Sequence, residues 1–215
     1  MMSKKILLVG GGGHCKSVLD SLLELEKFSA IGIIDKEENI GKKILDVPVI
    51  GCDGELPQFF SEGYKYAFVT VGSIGNPELR IKLFNILREI GFEIPNIVDP
   101  SAIISRYAKM ETGIFVGKDA VVNAGSLISN GVIVNSGSII EHDCSIGAFA
   151  HIASGSVLSG EVKIGENTHI GANSVIRQQL SIGSDSIIGI GSVVTKDIED
   201  NIIAYGNPCK KIGFR

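Results

Sequence analysis

No run of basic residues occurs anywhere in this 215-residue chain. Its 20 lysines and arginines are outnumbered by 24 acidic residues, giving a net charge of −4 and a pI of about 5.6. That balance argues against the electrostatic footprint of a nucleic-acid-binding protein. Long hydrophobic runs are lacking too. Only Ile6-Leu7-Leu8-Val9 separates Met1-Met2-Ser3-Lys4-Lys5 from a glycine stretch, too short for a signal-peptide core or a membrane span. A cytoplasmic protein is expected, with no membrane partner. Cysteine is sparse: Cys15, Cys52, Cys144 and Cys209 stand far apart with no CxxC pair, which points to reduced thiols rather than a disulfide framework or a zinc knuckle.

What is present is a repeat. From Val98, every sixth residue is apolar: Val98, Ile104, Met110, Val116, Val122, Ile128, Val134, Ile140, Ile146, Ile152, Leu158, Ile164, Ile170, Ile176, Ile182, Ile188 and Val194. Four places after most of these stands a small residue, as at Ala120, Ser126, Cys144, Ser156, Thr168 and Ser186, and one place after, glycine recurs at Gly117, Gly147, Gly165, Gly171, Gly183 and Gly189. A period of six is neither helical nor a plain strand alternation; it is the mark of a parallel β-helix. Three units close one triangular coil, and coils stack at roughly 4.8 Å. A β-sandwich would show uneven strands and irregular loops instead. The outward positions carry no regular threonine ladder, which argues against an ice-binding solenoid.

The first half reads differently. Ile6 to Val9 is a buried strand entering Gly10-Gly11-Gly12-Gly13-His14, and Val18, Leu19, Leu22 and Leu23 mark one face of a helix over about 14–25. Strands follow over 30–34, ending at Asp35-Lys36, and 66–71, ending at Gly72-Ser73. Asn76-Pro77 starts a helix whose buried face is Leu79, Leu83, Ile86, Leu87 and Ile90. Alternating strands and helices imply a small Rossmann-like parallel sheet, with a ligand outside the carboxyl ends of its strands. The glycine run by itself leaves three readings open. It is a dinucleotide fingerprint with Cys15 in place of the third glycine, a turn that only packs helix on strand, or a phosphate site at a helix N-terminus. The organisation expected is a Rossmann-like domain over 1–97, a β-helix over 98–196 and a C-terminal tail over 197–215, with segments such as 36–49 as loops.

Three of the four histidines fall in the repeat. His151 and His169 differ by one coil and are expected to stack on one corner, while His142 lies half a coil from His151. Cooperation between His142 and His151 would therefore cross a subunit boundary, and flat-sided prisms pack readily around a three-fold axis, so a homotrimer is expected. His142 stands between Glu141 and Asp143; a neighbouring carboxylate can hold an imidazole's tautomer and raise its basicity, as a general base for an amine or hydroxyl requires. An exposed histidine with accidental acidic neighbours is the bland alternative. Zinc chemistry of the γ-type carbonic anhydrases needs two histidines five apart, a pair this sequence lacks, and no metal is expected.

Taken together, Gly11-Gly12-Gly13-His14, Asp35-Lys36, Phe68-Val69-Thr70-Val71-Gly72, Leu79-Arg80, the hexapeptides, Ile140-Glu141-His142-Asp143-Cys144 and Gly206-Asn207-Pro208 resemble the sugar O- or N-acyltransferases of the left-handed β-helix class. That group contains bacterial sialic acid O-acetyltransferase and the UDP-4-amino-sugar N-acetyltransferases. The resemblance spans essentially the whole chain. It implies acetyl transfer from acetyl-CoA, as co-substrate, to a nucleotide-linked amino sugar, with O-acetylation of sialic acid as the nearest alternative and a non-catalytic nucleotide-sugar-binding trimer as the alternative of another class. His142 matches the catalytic base and Asp143 the acid that strengthens it. His151 resembles a residue reaching the thioester. Ala172 and Ile190 match the wall of the acetyl-CoA groove, with Gly160 on the same wall. Asn207 and Lys210 resemble the segment that closes over CoA, where a lysine suits its phosphates. Gly12, Gly13, His14, Asp35, Lys36 and Gly72 match the nucleotide-sugar pocket. Cys144, in a small-residue slot, is read as structural.

Overall fold

The computed structural model describes residues 4–215, so Met1 to Ser3 of the short N-terminal stretch lie outside the described residues. Two compact units are present: residues up to Ser73 with Glu78–Ile97, and Ile74–Pro77 with Val98–Arg215.

The first unit runs β1 (Lys5–Val9), α1 (Gly13–Leu25), β2 (Ala30–Ile34), β3 (Lys43–Ile44), β4 (Val47–Gly51), α2 (Leu56–Ser61), β5 (Tyr66–Val69) and α3 (Glu78–Ile90). Its sheet order is β3-β4-β2-β1-β5, all parallel except the β3–β4 hairpin. The β1 run Ile6 to Val9 is buried, as are Val18, Leu19 and Leu22 of α1 and Ile33, Ile34, Ala67 and Phe68 of the strands paired with it. Two face assignments differ from the sequence reading. Leu23 and Leu79 are exposed, and the buried row of α3 is Arg80, Leu83, Phe84 and Leu87, the i, i+3, i+4, i+7 spacing with a guanidinium at its head. The stretch 36–49 is not all loop, because Val49 pairs with Ile33 beside β2 and β3, paired with β4, forms the sheet edge.

In the second unit, seventeen two-residue strands, β6 (Ile97–Val98) to β22 (Val193–Val194), recur every six residues. They form three parallel faces: face I with Phe115, Ile133, His151 and His169; face II with Val121, Ile139, Val157 and Val175; and face III with Leu127, Ser145 and Lys163. The second residue of each strand points inward and makes one continuous core from Val116 to Val194. Each such side chain contributes about 1.5–3 kcal/mol relative to exposure. The small-residue slot has a chemical reason beyond size. Ser126 Oγ donates to Glu141 O at 2.8 Å, Ser156 Oγ to Gly171 O at 2.8 Å, Thr168 Oγ1 to Gly183 O at 2.6 Å and Ser174 Oγ to Gly189 O at 2.9 Å, so buried hydroxyls tie each coil to the next at no desolvation cost left unmet.

The glycines after the inward residue let coils touch: a Cβ on Gly147 would lie 2.6 Å from Glu166 N. Gly165 faces Ser184 in the same way. Gly165→Ala is expected to cost about 1–3 kcal/mol by forcing the coils apart, seen as a lower urea midpoint at unchanged slope.

Residues 197–215, expected as a separate tail, group with the β-helix instead. β23 (Ile202–Tyr205) continues face I in parallel register with Ile187 and Ile188, and β24 (Lys210–Phe214) turns back antiparallel on it. Ile202 and Ala204 are buried; an open coil end exposes core and strand edge, and a terminal segment that covers both is stabilised there.

Candidate active site

His142 lies on the edge between faces II and III, where residues eighteen apart stack: Ala124, His142, Gly160 and Gln178. Its Nδ1 is 2.9 Å from Asp143 Oδ2. An ionised carboxylate only accepts, so Nδ1 carries the proton and Nε2 is left with a lone pair, the arrangement of a general base. Both side chains are open, His142 at 59% and Asp143 at 63%. The hydrogen bond to Asp143 raises the His142 pKa above the ordinary value, opposed by slight desolvation and reinforced by the charges of Asp143, Glu141 and Glu161.

Asp143 owes its place to backbone geometry as well. From Met110 to Ile188 the residue three after the inward one is left-handed, and Asp143, at φ +59°, shares that conformation with Asp119, Asn167, Asn173 and Asp185. Short polar side chains tolerate it. One coil earlier, Gly125 leaves room for the carboxylate, since a Cβ there would run into Asp143 Oδ1. The eighteen-residue spacing carried this signal, which the sequence reading missed. Glu141 accepts from Asn123 Nδ2 at 3.0 Å and Glu161 from Gln179 Nε2 at 3.2 Å. Cys144 is buried, gives its thiol to Ser159 O at 3.2 Å, and has its pKa pushed up to about 11 by desolvation; it is no nucleophile at neutral pH.

His151 and His169 do stack, edge to face at 4.8 Å between ring centroids, but as neighbouring strand residues on face I rather than on a corner. They immediately precede an inward residue, and that is a strand position. Both are buried, and Asn135 Nδ2 approaches His151 Nε2 at 3.4 Å. Within one chain His151 and His142 lie on different sides of the prism. Ala172 and the exposed Ile190 stack on the edge between faces I and II, where Gly191 N donates to Ala172 O at 2.8 Å. Gly160 is not on their wall: it is one coil from His142 and two-thirds of a coil from Ala172, so it belongs to the His142 edge. Asn207, in the turn joining β23 to β24, and Lys210, the first residue of β24, are exposed.

In the first unit, Gly12 and Gly13 open α1 with no side-chain cap and with open space around them, leaving helix N-terminal N–H groups available to an anion. Asp35 closes in on Gly11, where a Cβ would lie 2.5 Å from Oδ2, and accepts from Asn39 Nδ2 at 2.8 Å. Lys36 is exposed beside it. Gly72 backs His14, with 3.2 Å between a Cβ on Gly72 and that of His14. Burial, and then the charge of Arg80, push the His14 pKa down to about 4, so His14 is a neutral hydrogen-bonding group. The groups at the ends of β1, β2 and β5 thus lie on the carboxyl side of the sheet. Among the described residues no group of three or more His, Cys, Asp or Glu is placed to hold a metal, and no helix is long and apolar enough to cross a membrane.

A coiled prism with a histidine–aspartate pair on its edge, preceded by a small α/β unit, defines a hexapeptide-type transferase. Residues 5–87 match the family model of the PglD N-terminal domain, and residues 161–196 that of the bacterial transferase hexapeptide with six repeats. The chain is similar to perosamine N-acetyltransferase from Caulobacter crescentus, solved as a histidine-to-asparagine mutant with CoA and GDP-perosamine. Identity is 34% over 99% of this chain and 98% of that one, with a TM-score of 0.92. It is similar also to the acetyltransferase domain of PglB from Neisseria gonorrhoeae, solved with acetyl coenzyme A: 34% identity over 98% of this chain and 100% of that one, TM-score 0.91. The chain belongs to the hexapeptide-repeat sugar acyltransferase family.

Proposed function

We propose that this protein transfers the acetyl group of acetyl-CoA to the amine of a nucleotide-activated amino sugar, in a ternary complex with His142 as the base. The observation that carries the reading is the 2.9 Å bond from His142 Nδ1 to Asp143, in a chain 34% identical to an N-acetyltransferase solved with CoA and GDP-perosamine. The sugar amine attacks the thioester carbonyl while Nε2 takes its proton; a C–N bond forms, the C–S bond breaks, and the proton passes from His142 to the departing CoA thiolate. A backbone N–H stabilises the oxyanion. His151 serves the thioester end, Ala172 and Ile190 line the acetyl-CoA groove, and Asn207 and Lys210 cover CoA. Gly12, Gly13, His14, Asp35, Lys36 and Gly72 hold the nucleotide sugar, its phosphates at the start of α1.

The working form is a homotrimer. The outward residues of face II are Ile103, Val121, Ile139, Val157, Val175 and Val193, an unbroken aliphatic column with Ile103 and Val175 exposed, whereas face III presents Lys109, Leu127, Ser145, Lys163 and Ser181. A second copy of the chain is the fitting cover for the column. Face II is bordered by the His142 edge on one side and by the Ala172–Ile190 edge on the other, so a ring of three sets one subunit's base beside the next subunit's groove. We place the reaction in the cytoplasm, where thiols such as the four free cysteines stay reduced.

Thiol release from acetyl-CoA, measured across UDP-, GDP-, CMP- and dTDP-linked amino sugars and free sialic acid, tests the proposal. Turnover with one nucleotide amino sugar supports it; turnover with sialic acid alone, or with none, refutes it. The pH profile follows from the raised His142 pKa. The base works when neutral, so kcat/KM climbs as pH passes through an inflection above that of an ordinary histidine. Asp143→Asn removes the partner that favours the protonated ring, and the inflection moves to lower pH.

A further inference from the structure

Two residues after each inward aliphatic, the chain from Pro100 to Ile190 carries glycine only once, at Gly160. Most of the glycines one place earlier are demanded by backbone atoms of the next coil, and many of those one place later by a positive φ. Neither applies at Gly160. Its φ is not left-handed, and what a Cβ there would meet is a side chain: His142 Cε1 and Nε2, both at 2.6 Å, and Cδ2 at 3.2 Å. The imidazole lies in the space that any other residue at this position would fill.

We infer that Gly160 is a positioning residue for the base, a bare floor that lets the His142 ring lie along the edge with Nδ1 turned to Asp143. The inference rests on the reading of His142 as the base. A methyl group at 160 lifts the ring, and because the imidazole is a terminal, largely exposed group, it yields without disturbing the coils. The cost falls on orientation: the 2.9 Å bond to Asp143 does not survive the displacement. The charged groups around the ring are Asp143, Glu141 and Glu161; Glu141 and Glu161 are tied to Asn123 and Gln179 and do not follow the ring outward.

The test is Gly160→Ala, made in the wild-type and in the His142→Ala background. The His142 ring proton, identified by its loss in His142→Ala, is titrated by NMR without substrate. Its midpoint is expected to fall in Gly160→Ala, and kcat to drop by up to about 10²-fold, as for a misplaced catalytic group, at unchanged KM for acetyl-CoA. In the His142→Ala background the three atoms nearest the added methyl group are gone, and the same substitution is expected to change neither residual turnover nor melting temperature. An unmoved midpoint overturns the inference. So does an equal loss in both backgrounds with a raised KM for acetyl-CoA, which would make Gly160 a groove residue, or a failure to fold in both. Absence of turnover in the wild type would refute the proposed reaction and leave the titration to decide this point separately.

Discussion

His142→Ala is expected to lower kcat for acetyl transfer by about 10²–10⁴-fold, the usual contribution of a positioned general base, with KM for each substrate little changed. The size of the effect follows from what the residue does and does not support. The ring stands on the prism edge with its side chain 59% exposed, outside the aliphatic core that runs from Val116 to Val194. The local backbone is held without it, because His142 O accepts from Glu161 N at 2.9 Å and Asp143 N donates to Ala124 O at 3.0 Å. The variant should therefore match the wild type in melting temperature and in circular dichroism. A variant that lost activity only because it melted would contradict the assignment, as would one that kept wild-type turnover.

Val157→Arg should abolish activity just as fully from a position with no chemistry of its own. Val157 is the outward residue of its strand and Leu158 the inward one, so the protomer keeps its core. The aliphatic column of face II, however, receives a charge at its middle. Burying that charge against a second copy without a partner costs about 3–5 kcal/mol, roughly a hundredfold or more in association. Analytical ultracentrifugation should show the mass falling from three chains to one, with thiol release lost in parallel. Lys163→Glu, on face III, should alter neither. Full activity from a monomeric Val157→Arg protein would show that one chain carries a whole site.

The six-residue period was readable because every unit solves the same problem with the same parts: an aliphatic residue inward, a small one at the bend, glycine where coils touch. What escaped the reading was mostly contact one coil away. Nothing near Asp143 in the chain tells that Gly125 makes room for its carboxylate, nor does anything near Gly160 tell that His142 lies over it; both facts are visible only at a spacing of eighteen. His151 and His169 were placed one coil apart correctly, but on a corner, because the place before an inward aliphatic was not recognised as the outward half of a two-residue strand. In the α/β unit, hydropathy ranks Leu79 above Arg80 for the buried place at the head of α3, although the guanidinium holds it. The β3–β4 hairpin reads as loop because β3 has only two residues and β4 contains Pro48; pairing beside β2 supplies what local propensity does not. The period lapses at Asp200, which makes residues 202–205 read as part of a tail, although the chain rejoins face I two residues later.

The measurement that bears most directly on the central claim is the chemistry of the product. The protein is incubated with acetyl-CoA and the nucleotide amino sugar that turns over, and the acetylated product is treated with hydroxylamine, which cleaves esters and spares amides. Transfer to the amine predicts a product that survives the treatment and that forms only while the sugar is linked to its nucleotide. A hydroxylamine-labile product, or acetylation of the free sugar at the same rate, would contradict it.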